Sequence, residues 1–259
     1  MSKKRPVHPA IIAVWAAVIA AGYLLPVFPI LGTGANFTLA NVLNPLAGIF
    51  FGPLSGALCS AAGGFIGFFI APVKPMMGPF SFIIGMTTAF TSGCIAWGRW
   101  PVVTVSGKGN FIFNGGLIVY IIGTILWFTQ ETGRSIIRFP LVFYGLGFII
   151  MIAGIVFAGR MFASKKRILA FPAVFLCSFG GLVGGAAVGN FFSLVLFKVP
   201  KDIWVLLTIT APIERAVFAF STALVGVPLL KGLEKTGILV GPPEEDDTSE
   251  VNMNTDVKI

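Results

Sequence analysis

Two ionisable residues stand side by side in an otherwise apolar part of the chain. Glu214 and Arg215 lie in the segment TAPIERAVFAF, 11 residues into an apolar run that begins near Ile203. An ionisable group inside a membrane is costly and marks a candidate functional site. Because adjacent helix positions point about 100° apart, we expect one of the two to face a ligand. The other would pair with a loop group such as Lys74 or with the lipid interface, and the alternative role is a structural ion pair.

A group of polar residues lies at the mouth of a hydrophobic segment near the N-terminus. The stretch 26–67 carries Thr33, Asn36, Thr38, Asn41 and Asn44 close together. Residues three apart lie on one side of a helix, so Asn41 and Asn44 can both bind a ligand or hydrogen-bond their own loop. We predict that this stretch forms one wall of a small-molecule site and that the loop 26–37 forms its lid.

Two further residues join the candidate site. The amide of Asn190 needs a partner in apolar surroundings, either a ligand or a neighbouring helix. Trp204 stands near the start of the last apolar segment, where tryptophan is commonly an interfacial anchor, and the alternative is stacking in a pocket. The predicted substrate-binding residues are therefore Thr33, Asn36, Thr38, Asn41, Asn44, Lys74, Asn190, Trp204, Glu214 and Arg215. A ligand with both an amine and a carboxylate or phosphate would suit the Glu214 and Arg215 pair.

The elements that position these residues are apolar segments. Of the 259 residues, 56% are hydrophobic and only 11% are charged, against roughly 25% charged residues in soluble domains. Apolar stretches of about 18 residues or more are typical of membrane-spanning helices. We predict an all-α integral membrane protein, a helical bundle of six to eight transmembrane helices. Its apolar segments cover approximately 9–25, 38–51, 54–70, 80–97, 111–128, 139–158, 168–197 and 203–230.

Charge distribution predicts the domain limits and the orientation. The net charge is +8, but most Lys and Arg residues lie in short loops beside apolar segments, which favours an orientation signal over a nucleic-acid partner. We expect both termini in the cytoplasm, with the protein crossing the cell membrane many times. The predicted parts are a basic tail (1–8), a transmembrane domain (9–231) and an acidic, disordered tail (232–259).

Several function classes lack their sequence signals. The chain has no G-x-x-x-x-G-K-[ST] phosphate loop, so it cannot by itself use ATP to drive transport. It has no H-E-x-x-H or G-x-S-x-G motif, its single histidine is His8 in the basic tail, and its three cysteines lie in separate segments. We therefore expect no enzyme activity, no catalytic residue, no metal site and no cofactor.

The first apolar segment carries a regular face of small residues. Ala13, Ala17 and Ala21 are four apart and share one side of a helix, with Ala16 and Ala20 as a second pair. In a bilayer, small side chains allow a partner helix to approach closely. We predict that Ala13, Ala17 and Ala21 dock a partner protein. The alternative is that they pack inside their own chain.

Three pieces of the sequence resemble one transporter family. They are the alanine face, the run NVLNPLAGIFFGPLSGALCSAAGGFIG, and the C-terminal APIERAVFAFSTALVGVPLLKGLEK. Together they resemble the substrate-binding (S) component of energy-coupling factor (ECF) transporters. The resemblance implies a subunit that captures a vitamin or related micronutrient from outside under its first external loop. It would dock through helix one on a membrane T component driven by two cytosolic ATPases.

The resemblance leaves one discrepancy and two alternatives. The family core has six helices, whereas this chain has eight apolar segments, so the fifth and sixth are either an inserted pair or partial spans. The alternative functions are a stand-alone secondary transporter or channel, in which more polar residues would face one another within the spans, and a structural membrane protein without a ligand.

Overall fold

The described part of the protein is a bundle of helices with one small β-hairpin. The computed structural model describes residues 8–29, 36–71, 78–98, 114–164, 167–238 and 240–242. Its helices are α1 (Pro9–Gly22), α2 (Ala40–Phe51), α3 (Pro53–Ile70), α4 (Ser81–Trp97), α5 (Gly115–Thr129), α6 (Glu131–Ser135), α7 (Arg138–Ala163), α8 (Ala170–Val195) and α9 (Lys201–Lys235). Two strands, β1 (Pro26–Pro29) and β2 (Asn36–Thr38), form an antiparallel pair.

Four of the described helices are long and apolar enough to cross a membrane, namely α3, α7, α8 and α9. The other apolar helices, α1, α2, α4 and α5, have 14, 12, 17 and 15 residues. At 1.5 Å per residue they measure about 18–26 Å, less than the roughly 30 Å of a bilayer core. Each of the eight predicted segments contains a helix, but the described part of the chain has fewer full-length spans than the six to eight predicted.

The surface of the bundle is apolar. Large hydrophobic side chains on the long helices are exposed, including Leu58 on α3, Leu141 and Ile149 on α7, and Ile209 on α9. Burying such side chains in lipid is favourable, whereas water would have to solvate them. The helix lengths and this surface together identify a helical membrane protein.

Helix α8 lies at the centre of the bundle and packs closely against α4. A Cβ atom placed on Gly181 would lie 2.8 Å from the Thr88 carbonyl oxygen and 2.7 Å from the Ser92 Cβ atom. Only glycine leaves room for the two helix backbones at this point. The glycine-rich face of α8 therefore sets the distance between the two central helices.

The described residues of the loop predicted for 26–37 form two paired strands. Helix α1 ends at Gly22, before Pro26, and Pro26 begins strand β1. Phe28 pairs with Phe37 across the antiparallel ladder. The stretch between the predicted apolar segments 111–128 and 139–158 contains the short helix α6. The Trp127 indole N–H donates a 3.1 Å hydrogen bond to the Gly133 carbonyl oxygen of this helix.

The helical part of the chain extends past the predicted boundary at 232. Helix α9 continues to Lys235, and Gly237 has a φ of +78° where the chain turns away. The Ile238 N–H donates to the Leu233 carbonyl oxygen at 3.0 Å, closing a glycine-type helix cap. The Gly241 N–H donates to the Phe50 carbonyl oxygen at 2.9 Å. The start of the predicted tail is thus attached to the end of α2, and 243–259 lie outside the described residues.

Candidate functional site

A cavity of about 150 Å³ lies within the bundle, bordered by β2, α2, α4, α7, α8 and α9. Its lining combines three kinds of surface. Amide and hydroxyl side chains come from β2, α2 and α4, aromatic rings come from α7 and α9, and one charged pair comes from α9. The cavity is therefore mostly apolar with a few polar groups, which is the usual character of a small-molecule site.

Helix α4 contributes a face that the sequence analysis missed. Ser81, Ile84, Gly85 and Thr88 all border the cavity. Their spacing of three, four and seven residues is that of one helix face. Helix α4 has five hydroxyl residues, and the seven-residue spacing of Ser81 and Thr88 was the available signal for this wall.

Helix α2 places its two asparagines on the cavity, and each has a partner within the protein. Asn44 is buried and accepts a hydrogen bond from the Ser60 Oγ atom at 2.8 Å. The Asn41 side-chain amide donates to the Thr38 carbonyl oxygen at 3.1 Å. Asn41 thus makes the own-loop bond that was one of its two predicted roles, and it borders the cavity as well. The amide wall is held in place by bonds to the rest of the protein.

The charged pair differs from the prediction. Both Glu214 and Arg215 border the cavity, and the Arg215 Nη1 atom lies 3.6 Å from the Glu214 Oε2 atom. The side chains are only 11% and 15% exposed, respectively. The expectation that only one of them faces the site was wrong, because they follow Ala211 by three and four positions and so flank the face on which Ala211 lies.

Arg215 has a second partner across the cavity. Its guanidinium carbon lies 5.3 Å from the centre of the Phe37 ring, within the range of a cation–π contact. Phe37 belongs to β2, so this contact joins the hairpin to α9. Helix α9 and the hairpin are thereby coupled at the edge of the cavity.

Trp204 is an interior residue. It is 1% exposed, and its indole N–H donates to the Val199 carbonyl oxygen at 3.3 Å. Its ring lies 4.6 Å from that of Trp127 and 5.1 Å from that of Phe139. The interfacial-anchor interpretation therefore does not fit, and Trp204 forms part of an aromatic wall that borders the cavity.

Asn190 meets a neighbouring helix and the cavity at once. Its side-chain amide donates to the Tyr144 hydroxyl oxygen on α7 at 3.1 Å. The Tyr144 carbonyl oxygen in turn accepts a hydrogen bond from the Tyr120 hydroxyl on α5. Asn190 therefore satisfies its amide by joining α8 to α7, while part of the residue borders the cavity.

The structure brings most of the predicted site residues together. Eight of the ten border this one cavity, namely Asn36, Thr38, Asn41, Asn44, Asn190, Trp204, Glu214 and Arg215. Thr33 and Lys74 lie outside the described residues. Residues that sequence reasoning did not find include Tyr23, Phe139 and Phe143. Whether the group binds a substrate stays a prediction.

The two small-residue faces of α1 have opposite environments. Ala16 and Ala20 are buried, and a Cβ atom on Gly63 of α3 would lie 2.6 Å from the Ala16 carbonyl oxygen. Ala13, Ala17 and Ala21 are exposed. In the described structure the face of Ala13, Ala17 and Ala21 does not pack inside its own chain, and its docking role stays a prediction.

The polar lining offers groups that can bind a ligand. Its polar atoms are amides, hydroxyls and one ion pair, which can hydrogen-bond a ligand and orient it. In the part of the chain that the structure describes, no three His, Cys, Asp or Glu residues come together as a metal site. Comparisons with family models, with curated proteins and with solved structures find no match, so the function is inferred from the cavity itself.

Proposed function

We propose that the chain is the substrate-binding subunit of an ATP-driven micronutrient uptake transporter, of the energy-coupling factor type. The observation that carries the proposal is the polar cavity with its Glu214–Arg215 pair, enclosed by apolar helices. An ionisable group in such surroundings is by default a candidate for a substrate or ion site. In this proposal the finer architecture is an S-component-like core in the plasma membrane.

The hairpin and α2 supply the entry side in this proposal. Asn36, Phe37 and Thr38 of β2 border the cavity, and the strand contacts α9 through Phe37 and Arg215. In this proposal the loop 26–37 is the lid over a site that opens to the outside. Movement of β2 away from Arg215 opens the site.

The exposed face of α1 supplies the docking surface. Ala13, Ala17 and Ala21 present small side chains on the outside of the bundle, where a helix of a membrane T component can approach closely. The chain has no phosphate-binding loop. Two cytosolic ATPases acting on the T component therefore supply the energy for release inside the cell.

Co-purification tests this division of labour. The tagged chain, expressed in its native host at its normal level and extracted gently, is expected to bring down one membrane protein and two ATPases, identified by mass spectrometry. Ala17→Leu is expected to remove these partners. Gly145→Leu is the matched control, because Gly145 is an exposed helical position on α7 with nothing within 4 Å of an added Cβ atom. A self-assembled homo-oligomer without ATPases would instead indicate a structural protein or a stand-alone transporter.

A further inference from the structure

We infer that the cavity takes a small, single-ring molecule that carries no net charge. The inference rests on the proposed substrate capture at this same site and adds the class of substrate. It follows from the charge balance of the lining, the size of the cavity and the arrangement of its walls.

The described lining of the cavity is charge-balanced. It contains one carboxylate, from Glu214, and one guanidinium, from Arg215, and these two groups are already paired at 3.6 Å. Both side chains are largely buried. A ligand with a net charge would add an uncompensated charge to surroundings of low dielectric constant, where such a charge is costly. A ligand without net charge leaves the pair and its balance intact.

Arg215 is further engaged on its other side. Its contact with the Phe37 ring lies at 5.3 Å, so its positive charge already faces a carboxylate and an aromatic ring. A ligand anion would have to compete with Glu214 for the guanidinium. A neutral ligand can accept a hydrogen bond from Arg215 without displacing Glu214.

Size restricts the ligand to about one ring. The cavity measures about 150 Å³, and an apolar cavity of about that volume in another protein holds a benzene molecule. The walls match a flat ring with polar edges. Phe139, Phe143 and Trp204 offer aromatic surface for its face, and the asparagines of α2 offer amide groups for hydrogen bonds to its edge.

Three ring compounds of the same shape test the charge rule. Benzamide, benzoate and benzamidinium have the same number of non-hydrogen atoms and differ in net charge. Binding to the purified full chain in lipid nanodiscs is measured at pH 7 by titration calorimetry. We expect the Kd of benzamide to be lower than that of either ion by about tenfold, which is about 1.4 kcal/mol. Equal or tighter binding of an ion by the unmodified chain, or no binding of any of the three, would overturn the inference.

Charge variants test whether the charge of the preferred probe follows the net charge of the cavity lining. Glu214→Gln leaves an excess positive charge and is expected to make benzoate the tightest of the three probes. Arg215→Gln leaves an excess negative charge and is expected to favour benzamidinium. An unchanged preference in both variants, with melting temperatures that show them folded, would place the probes elsewhere and overturn the inference. If a variant does not fold, the Kd values of the three probes on the unmodified chain alone decide whether the inference holds.

Cavity-filling variants separate the site from partition into lipid. Ala186→Phe on α8 and Ala211→Phe on α9 each add a ring to the lining and are expected to abolish benzamide binding. Binding that survives in both folded variants contradicts the inference. These experiments use the purified chain and do not depend on partner proteins. If benzamide is preferred but no ATPase is recovered in the co-purification experiment, the transporter proposal is removed and the ligand class stands. If the ATPases are recovered but benzoate binds most tightly, the transporter proposal stands and the ligand class is overturned.

Discussion

Helices α8 and α9 border the same cavity but are built differently. In an 18-residue apolar stretch of α8, 72% of the residues are buried inside the protein, against 39% in the corresponding stretch of α9. Helix α8 meets its neighbours through glycines such as Gly181 and Gly184, whereas α9 carries the charged pair and two internal prolines, Pro212 and Pro228. One helix holds the bundle together, and the other presents chemistry to the cavity.

The difference shows how a membrane protein can keep a polar site stable. Small residues bring α8 and α4 into close contact, and dispersion forces then hold these helices without help from the hydrophobic effect. The polar groups of α9 contribute little to that packing. Substitutions in α8 should therefore change mainly stability, and substitutions in α9 should change mainly ligand binding.

The strongest test of this division is a side chain added to α8. Gly181→Val places a branched side chain against the Thr88 backbone and Ser92, so we expect a loss of about 3 kcal/mol in unfolding free energy. Gly145→Val on α7 is the matched control and should leave stability nearly unchanged, because an added Cβ atom there has nothing within 4 Å. Thermal unfolding in detergent measures both. Equal melting temperatures for the two variants would refute the scaffold role of α8.

Breaking the charged pair of α9 should have a smaller effect on stability and a larger effect on binding. Arg215→Gln leaves the Glu214 carboxylate without its ionic partner, which we expect to cost about 2 kcal/mol of stability. The double variant Glu214→Gln/Arg215→Gln should be more stable than Arg215→Gln alone, because it leaves no charge behind. Exposed Glu131→Gln on α6 serves as the control. Thermal unfolding decides, and a double variant less stable than Arg215→Gln would contradict this account.

Helix α1 carries one buried face and one exposed face of small residues. Ala20→Leu adds bulk to a residue that is 4% exposed, and we expect it to cost about 1.5 kcal/mol. Ala17→Leu changes the exposed face and should leave unfolding unchanged while removing partner proteins from a pull-down. If Ala17→Leu lowers the melting temperature as much as Ala20→Leu does, that face packs inside the chain.

Loss of the hydrogen bond between α8 and α7 should have the smallest effect on unfolding free energy among these changes. Asn190→Leu removes the donor to the Tyr144 hydroxyl, and we expect it to cost about 1 kcal/mol of unfolding free energy. Asn190→Gln keeps an amide at this position and should recover part of the loss. Thermal unfolding of the two variants measures the difference. A glutamine variant less stable than the leucine variant would exclude a role for this bond.

Helix positions could be predicted from the sequence because long apolar runs indicate segments that are removed from water, either inside the bundle or against lipid. Each predicted segment contains a helix, and the ends differ where local chemistry intervenes. Helix α1 ends before Pro26 because the chain turns there into strand β1. The partner strand, β2, lies further along the chain, so the local sequence pattern does not show this pairing. Helix α6 was missed because five residues are too few to show a helical period.

The cavity could be predicted only in part. Asn41, Asn44 and Asn190 were found because amides are conspicuous in apolar segments. The rings of Phe139 and Phe143 were missed, since aromatic residues are frequent in membrane helices and carry no local sign of facing a pocket. To predict that both Glu214 and Arg215 border the cavity, one must know that Ala211 lies at the centre of the helix face that lines it. Only the packing of α9 against α2 and α8 shows which face that is.

Mass spectrometry of small molecules retained after gentle purification tests the central claim most directly. The unmodified chain should retain one compound of zero net charge at close to one molecule per chain, and Ala186→Phe, which fills the cavity, should retain none of it. If the same compounds remain on both folded proteins, or if the unmodified chain retains no small molecule, the cavity is not the capture site of a transporter subunit.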